Sequence, residues 1–258
     1  MRRLLTLVAL ALSLCSARAE AAITPDDRDC ANWSSGTSIT IAGLNATASS
    51  PLFVSINAIV AAGTVTGVTW NTSENLTQLG AYNDSSNTAN VWLYAIKNPT
   101  ATSANVVVTF SSAPSGGGAR VCAISTTGGD TTTGWRTVYC RTDGGGGCGS
   151  TGTGPGTTVV DSQNGDLVFH AVTVYGGGGT ITWDAGEDTT NTTANNILFN
   201  GYSGGISTKA ATGANTAVGA TDVSLYAEIA VAAIPSAGGG GGGATTCRQL
   251  LLGVGKCQ

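Results

Sequence analysis

The chain has 258 residues, of which 38 are glycine, 10% are charged and 6% are aromatic; it carries one histidine and a formal charge of −4. Ordinary soluble proteins hold about 7% glycine and about a quarter charged residues. The composition therefore excludes a coiled coil, a nucleic-acid binder with a basic surface and a strongly charged disordered chain.

The first residues read as an export signal. Arg2 and Arg3 precede an apolar run over 4–14, a length that suits a signal-peptide core and is too short for a membrane span. Small residues at Ala17, Ala19 and Ala21 place cleavage after Ala21. Cys15 follows the bulky Leu14, so secretion is expected rather than lipidation. Without residues 1–21 the chain keeps 8 basic and 14 acidic residues, a charge of −6. An acidic chain has no long-range attraction for nucleic acid or anionic lipid. No later apolar stretch reaches the length of a transmembrane segment, so the expected location is extracellular or at the cell surface.

Residues 22–36 lack apolar periodicity and read as a lead segment. From 37 onward the pattern is mostly of period two. It predicts strands over 37–42, 52–61, 65–70, 76–82, 90–96, 105–110 and 120–125, then over 135–140, 157–160, 166–175, 180–183, 196–199, 205–210 and 223–234. β-Branched and aromatic residues fill these runs, with Gly, Asn, Ser, Thr or Pro between them. No window carries a capped helical stripe. Many short strands at this spacing predict an all-β, two-sheet antiparallel β-sandwich over 37–236. Glycine-, serine- and threonine-rich residues at about 127–156 read as a mobile insertion. Residues 237–243 read as a glycine linker, and 244–258 as a cystine-closed tail whose Leu250, Leu251 and Leu252 suit docking onto a partner.

The mature chain keeps six cysteines, Cys30, Cys122, Cys140, Cys148, Cys247 and Cys257. In an exported chain an even number of cysteines points to disulfides. Spacing suggests Cys140 with Cys148 and Cys247 with Cys257, leaving Cys30 with Cys122. Zinc is disfavoured, because the pattern has no paired CxxC and the one histidine is remote from the cysteines.

The segments VTGVTWNTSENLTQLG and VWLYAIKNPTATSANVVVTF, within 65–110, resemble a secreted bacterial β-sandwich module with VTWxGxxLTxVG and VELWYLxNPxxGTxxVxVTF motifs. NGDLVFHAVTV at 164–174 and the stretch 207–235 are similar to its second half. The resemblance spans about 50–235 and departs from the module at 136–148 and after 236. It implies a jelly-roll-like sandwich in an extracellular setting. It supplies no catalytic residues.

Three groups of residues are candidates for chemistry. His170 shares a strand face with Val168, Val172 and Val174. It reads as a single polar residue on a mostly apolar face, hydrogen-bonded to backbone, and the alternative, a catalytic base, lacks a GxSxG elbow. Asp184, Glu187 and Asp188 cluster in one loop; they read as a solvated acidic loop or a calcium site, without EF-hand spacing. A carboxylate pair such as Asp184 with Glu228 would be needed for glycoside hydrolysis. Trp92, Tyr94 and Trp183 are the aromatics that would stack on sugars if exposed, and otherwise fill a lean core. These readings yield a secreted non-catalytic structural or adhesion component meeting an extracellular glycan or surface protein. A carbohydrate-binding module, with calcium or with no cofactor, is the alternative, and a hydrolase ranks below both.

Overall fold

The computed structural model describes residues 22–59, 64–83, 89–100, 102–114, 118–142, 158–175, 181–190, 193–198, 202–221 and 225–236. The expected signal segment 1–21, Gly144–Gly147, Cys148, Gly176–Gly179, the expected linker 237–243 and the expected tail 244–258 with Cys247 and Cys257 lie outside the described residues.

The elements are β1 (Thr24–Asn32), β2 (Ser38–Asn45), β3 (Leu52–Ile59), β4 (Val65–Trp70), β5 (Glu74–Asn75) and β6 (Thr77–Asn83). They continue with β7 (Ala89–Ile96), β8 (Ser103–Phe110), β9 (Ala119–Thr127), β10 (Tyr139–Thr142), β11 (Thr158–Val160) and β12 (Leu167–Tyr175). The last are β13 (Thr182–Trp183), β14 (Thr193–Leu198), β15 (Tyr202–Ala210), β16 (Thr216–Val218), β17 (Ala220–Thr221) and β18 (Leu225–Ala233). Every strand pairing among the described residues is antiparallel.

The all-β sandwich is observed, with three principal sheets where two were expected. The central sheet runs β1-β9-β3-β7-β6, and the others run β2-β8-β4-β5 and β10-β18-β12-β15-β14. The reason lies in the central strands. Leu52, Val54, Ile56 and Ala58 of β3 face a first core with Trp70 and Val108, whereas Phe53 faces a second core with Phe169 and Ile229. A strand that is apolar on both faces must be covered on both faces. Across the second core Phe53 and Phe169 stack at 4.0 Å between ring centroids.

β1 is a strand where a lead segment was expected. Its sequence, TPDDRDCAN, has no apolar alternation. It is an edge strand held by its ladder to β9 and by a disulfide between the directly opposed Cys30 and Cys122. The Cys30–Cys122 pairing thus agrees with the reading from spacing. Cys140 is also disulfide-bonded, with its partner outside the described residues.

The first part of the expected mobile insertion is folded. Trp135 pairs with Ala233 and sets its ring edge-on to Phe53 at 6.0 Å, while Gly129 pairs with Pro235. The Arg136 guanidinium grips Asp166, with Nε–Oδ2 at 2.5 Å and Nη2–Oδ1 at 3.2 Å.

The far face of the third sheet carries two ribbons, β11-β16 and β13-β17. Val160 and Val218 close over Val168, and Ile181 and Ala220 close over Val172 and Val174. His170 lies on this far face.

Candidate functional site

The site is built from five pieces of chain. β12 supplies His170, and its antiparallel neighbours β18 and β15 supply Glu228 and Ser207, with Ser207 directly opposite His170. β11 supplies Thr158. The fifth group comes from the turn after β13. Glu187 N–H donates to Asp184 O at 3.2 Å, and Gly186 stands between them at φ +84°, a conformation that costs glycine little. The turn sends the Glu187 side chain inward.

The result is a line of polar groups closed to solvent. Ser207 O–H donates to Glu187 Oε2 in a very short contact. His170 Nδ1–H donates to the same Glu187 oxygen at 3.1 Å, and its Nε2–H donates to Glu228 Oε2 at 3.3 Å. Thr158 O–H donates to Glu228 Oε1 at 2.5 Å. Gly219 N–H completes the hold on Glu187, reaching Oε1 at 2.8 Å. Trp183 stands edge-on to the imidazole at 5.5 Å. The side chains of His170 and Glu187 are 0% exposed and that of Glu228 is 1% exposed.

The charges follow from this packing. Burial would lower the His170 pKa, but the hydrogen bonds and charges of Glu187 and Glu228 outweigh it and raise the value to about 9. Burial would raise the Glu187 pKa, but His170, Ser207 and Gly219 hold it below the ordinary carboxylate value. At neutral pH the imidazole is therefore an imidazolium clamped between carboxylates.

The expected residues meet different fates. His170 is a core residue on an apolar face, as read, but its partners are carboxylates rather than backbone. The two carboxylates that face each other across it are Glu187 and Glu228, where the sequence suggested Asp184 with Glu228. The three acids of the 184–188 loop diverge. Glu187 turns inward, while the exposed Asp188 pairs with Arg28 Nη2 at 2.7 Å. Asp184 meets Gly219 O and Glu187 N–H through its backbone. Among the described residues, no three His, Cys, Asp or Glu side chains are grouped to hold a metal ion.

The aromatics do not form an outward platform. Tyr94 is 5% exposed within the first core, with its hydroxyl donating to Gln78 Oε1 at 2.7 Å. Trp92 packs half-buried against that core, and Trp183 against the ribbon side of the third sheet. Trp92 and Tyr94 flank Leu93, so they share a face, and that face is turned to the interior.

The cluster members missed in the sequence are Ser207, Thr158 and the role of Glu228. One signal was present: Glu228 is a lone acid inside the apolar run LYAEIAVAA, as His170 is a lone imidazole inside LVFHAVTVY. Two isolated polar residues in neighbouring buried strands require partners, and each is the other's nearest candidate.

The fold and this sealed cluster define an all-β sandwich with an internal ionic lock. Among the described residues, no helix is long and apolar enough to cross a membrane. No family model matches the chain, and neither the curated proteins nor the solved structures give a match.

Proposed function

We propose that the mature chain is an exported, non-catalytic β-sandwich that serves as a structural component of an extracellular surface, matrix or adhesion assembly. The carrying observation is the sealing of its one imidazole: the side chains of His170, Glu187 and Glu228 are at most 1% exposed. Acid–base groups serve an external substrate only when it comes within hydrogen-bond reach, and here they reach one another. The Cys30–Cys122 disulfide suits an oxidising compartment. A glycan-binding role would call for exposed ring faces, whereas Tyr94 is buried and Trp92 leans on the same core.

The test has two arms. An antibody follows the protein through washed surface, matrix and medium fractions of the producing cell, and the purified protein is offered esters, glycosides and peptides. Retention in the surface or matrix fraction without turnover is the expected result. Turnover that disappears in His170→Ala would overturn the reading, and specific capture of a polysaccharide by the folded protein would replace it with the glycan-binding one.

A further inference from the structure

The buried cluster contains more than an ion pair. Thr158 Oγ1 lies 2.5 Å from Glu228 Oε1, in direct hydrogen-bond contact with the carboxyl group. The other oxygen of that carboxylate faces His170 Nε2 at 3.3 Å. A hydroxyl nucleophile, a carboxyl group and a proton-bearing imidazole are thus assembled on one carboxyl carbon. Glu187, itself held by Ser207 and Gly219, fixes the imidazole through Nδ1 and leaves Nε2 aimed at Glu228. This is the arrangement of acyl transfer, with nucleophile, acid–base group and orienting carboxylate, built where no outside substrate can enter.

We propose that Thr158 and Glu228 condense to an intramolecular ester in the mature protein, with His170 as the acid–base group. Thr158 Oγ1 attacks Glu228 Cδ. The Oγ1–Cδ bond forms and the Cδ–Oε2 bond breaks. Oε2 leaves as water, taking one proton from the imidazolium Nε2–H and the other from the Thr158 hydroxyl. The imidazole is left neutral at Nε2, with its Nδ1–H still on Glu187. Nothing is oxidised or reduced, and no co-reactant is consumed.

Three features drive the step forward. Fixing both partners in contact replaces an encounter between separate molecules. Three charges are held away from water, where buried charge is costly, and condensation discharges two of them together, the Glu228 carboxylate and the imidazolium. The same closure keeps water from hydrolysing the product. The bond ties β11 to β18 and fastens a ribbon over the third sheet. The inference goes beyond the structural role proposed above, and its failure would leave that role standing.

Mass decides it. The reduced, secreted chain is expected to weigh one water, about 18 Da, less than its sequence, because ester formation from an acid and a hydroxyl releases water. Trypsin cuts after Arg141, Lys209 and Arg248 and so separates Thr158, in 142–209, from Glu228, in 210–248. The expected digest holds these two peptides joined, and hydroxylamine parts them. Thr158→Val and His170→Gln are expected at full mass with the peptides separate. A wild-type chain at full mass overturns the proposal without any variant, as does a water loss that maps anywhere other than between Thr158 and Glu228.

Discussion

Asn57 Nδ2 donates to Thr173 Oγ1 at 2.8 Å, a buried hydrogen bond that joins the central sheet to the third sheet. The same amide nitrogen donates to Val172 O at 2.8 Å, and the Thr173 hydroxyl passes the contact on to Asn90 O at 2.8 Å. Room for this tie is left by Gly204, which lies opposite Thr173 on β15. A Cβ there would stand 2.6 Å from Asn57 Cβ and 3.0 Å from its Cγ.

That geometry makes Asn57 and Gly204 energetically dependent on each other. Asn57→Ala removes two buried hydrogen bonds and is expected to cost about 1–3 kcal/mol. Gly204→Ala overpacks the same place, at about 1–3 kcal/mol. Asn57 Cβ survives in Asn57→Ala, but the contact at Cγ does not, so the double variant is expected to be more stable than the sum of the single losses predicts. Urea unfolding of the four proteins checks this, and strict additivity would show that the two residues do not share the space.

The ionic lock gives stability a pH dependence on the alkaline side. The His170 pKa is raised from 6.5 to about 9 in the folded chain. Its contribution is therefore complete below pH 6.5, declines as pH rises and is gone above about 9. Within that window the slope is at most about 1.4 kcal/mol per pH unit for one proton. On the acid side the depressed Glu187 adds stability above its ordinary value of 4.5 that is lost as pH falls through the lowered one. Urea midpoints between pH 6 and 10 are expected to fall in the wild type and to stay flat in His170→Gln. An equal slope in the variant would place the titration elsewhere. In the linked protein the imidazole, left neutral by ester formation, takes up a proton against Glu187 alone, so a smaller slope of the same sign is expected there.

The strands were legible because period-two alternation and turn residues repeat along the chain; β4 begins and ends where the pattern 65–70 does. β1 was not legible, since an edge strand with Asp26, Asp27, Arg28 and Asp29 relies on backbone ladder and disulfide rather than on apolar alternation. The third layer was legible in principle: ARVCAISTT is buried at eight consecutive positions, the mark of a strand covered on both faces. The cluster was only half legible. Glu187 and Glu228 lie 41 positions apart along the chain, and no motif spacing relates them. Which loop acid turns inward depends on the Gly186 turn and on Ser207 and Gly219 waiting beneath it, which are facts of tertiary structure.

The disulfide is expected to act chiefly on β1. Cys30 and Cys122 are 92 residues apart, and closing a loop of that size stabilises by roughly 4–5 kcal/mol in the chain-entropy view. The double variant Cys30→Ala/Cys122→Ala is expected to unfold at lower urea. Its amide exchange is expected to rise first over Thr24–Asn32, because an edge strand with few apolar contacts opens before the strands inside the sheet. Uniformly faster exchange in all three sheets would mean that the bond supports the whole molecule rather than its edge.

The segment after β9 is expected to depend on one ion pair. Asp166 has only 1% side-chain exposure, and both its oxygens accept from Arg136. Its Oδ2 also accepts from Gln163 N–H at 2.7 Å. The pair thus fastens the segment to the turn before β12, while Arg136 N–H donates to Ala232 O of β18 at 2.9 Å. Breaking a buried pair by removing one partner leaves an uncompensated charge and costs about 3–5 kcal/mol; Arg136 is partly exposed, at 19%, so the lower end applies. Asp166→Ala is expected to lower the melting temperature and to open the chain to proteolysis after Arg136 and Arg141. Arg136→Lys keeps the charge but loses the two-pronged grip, and its stability is expected to fall between those of the wild type and Asp166→Ala. Wild-type protease resistance in Asp166→Ala would show that Trp135, packed on Phe53, holds this segment alone.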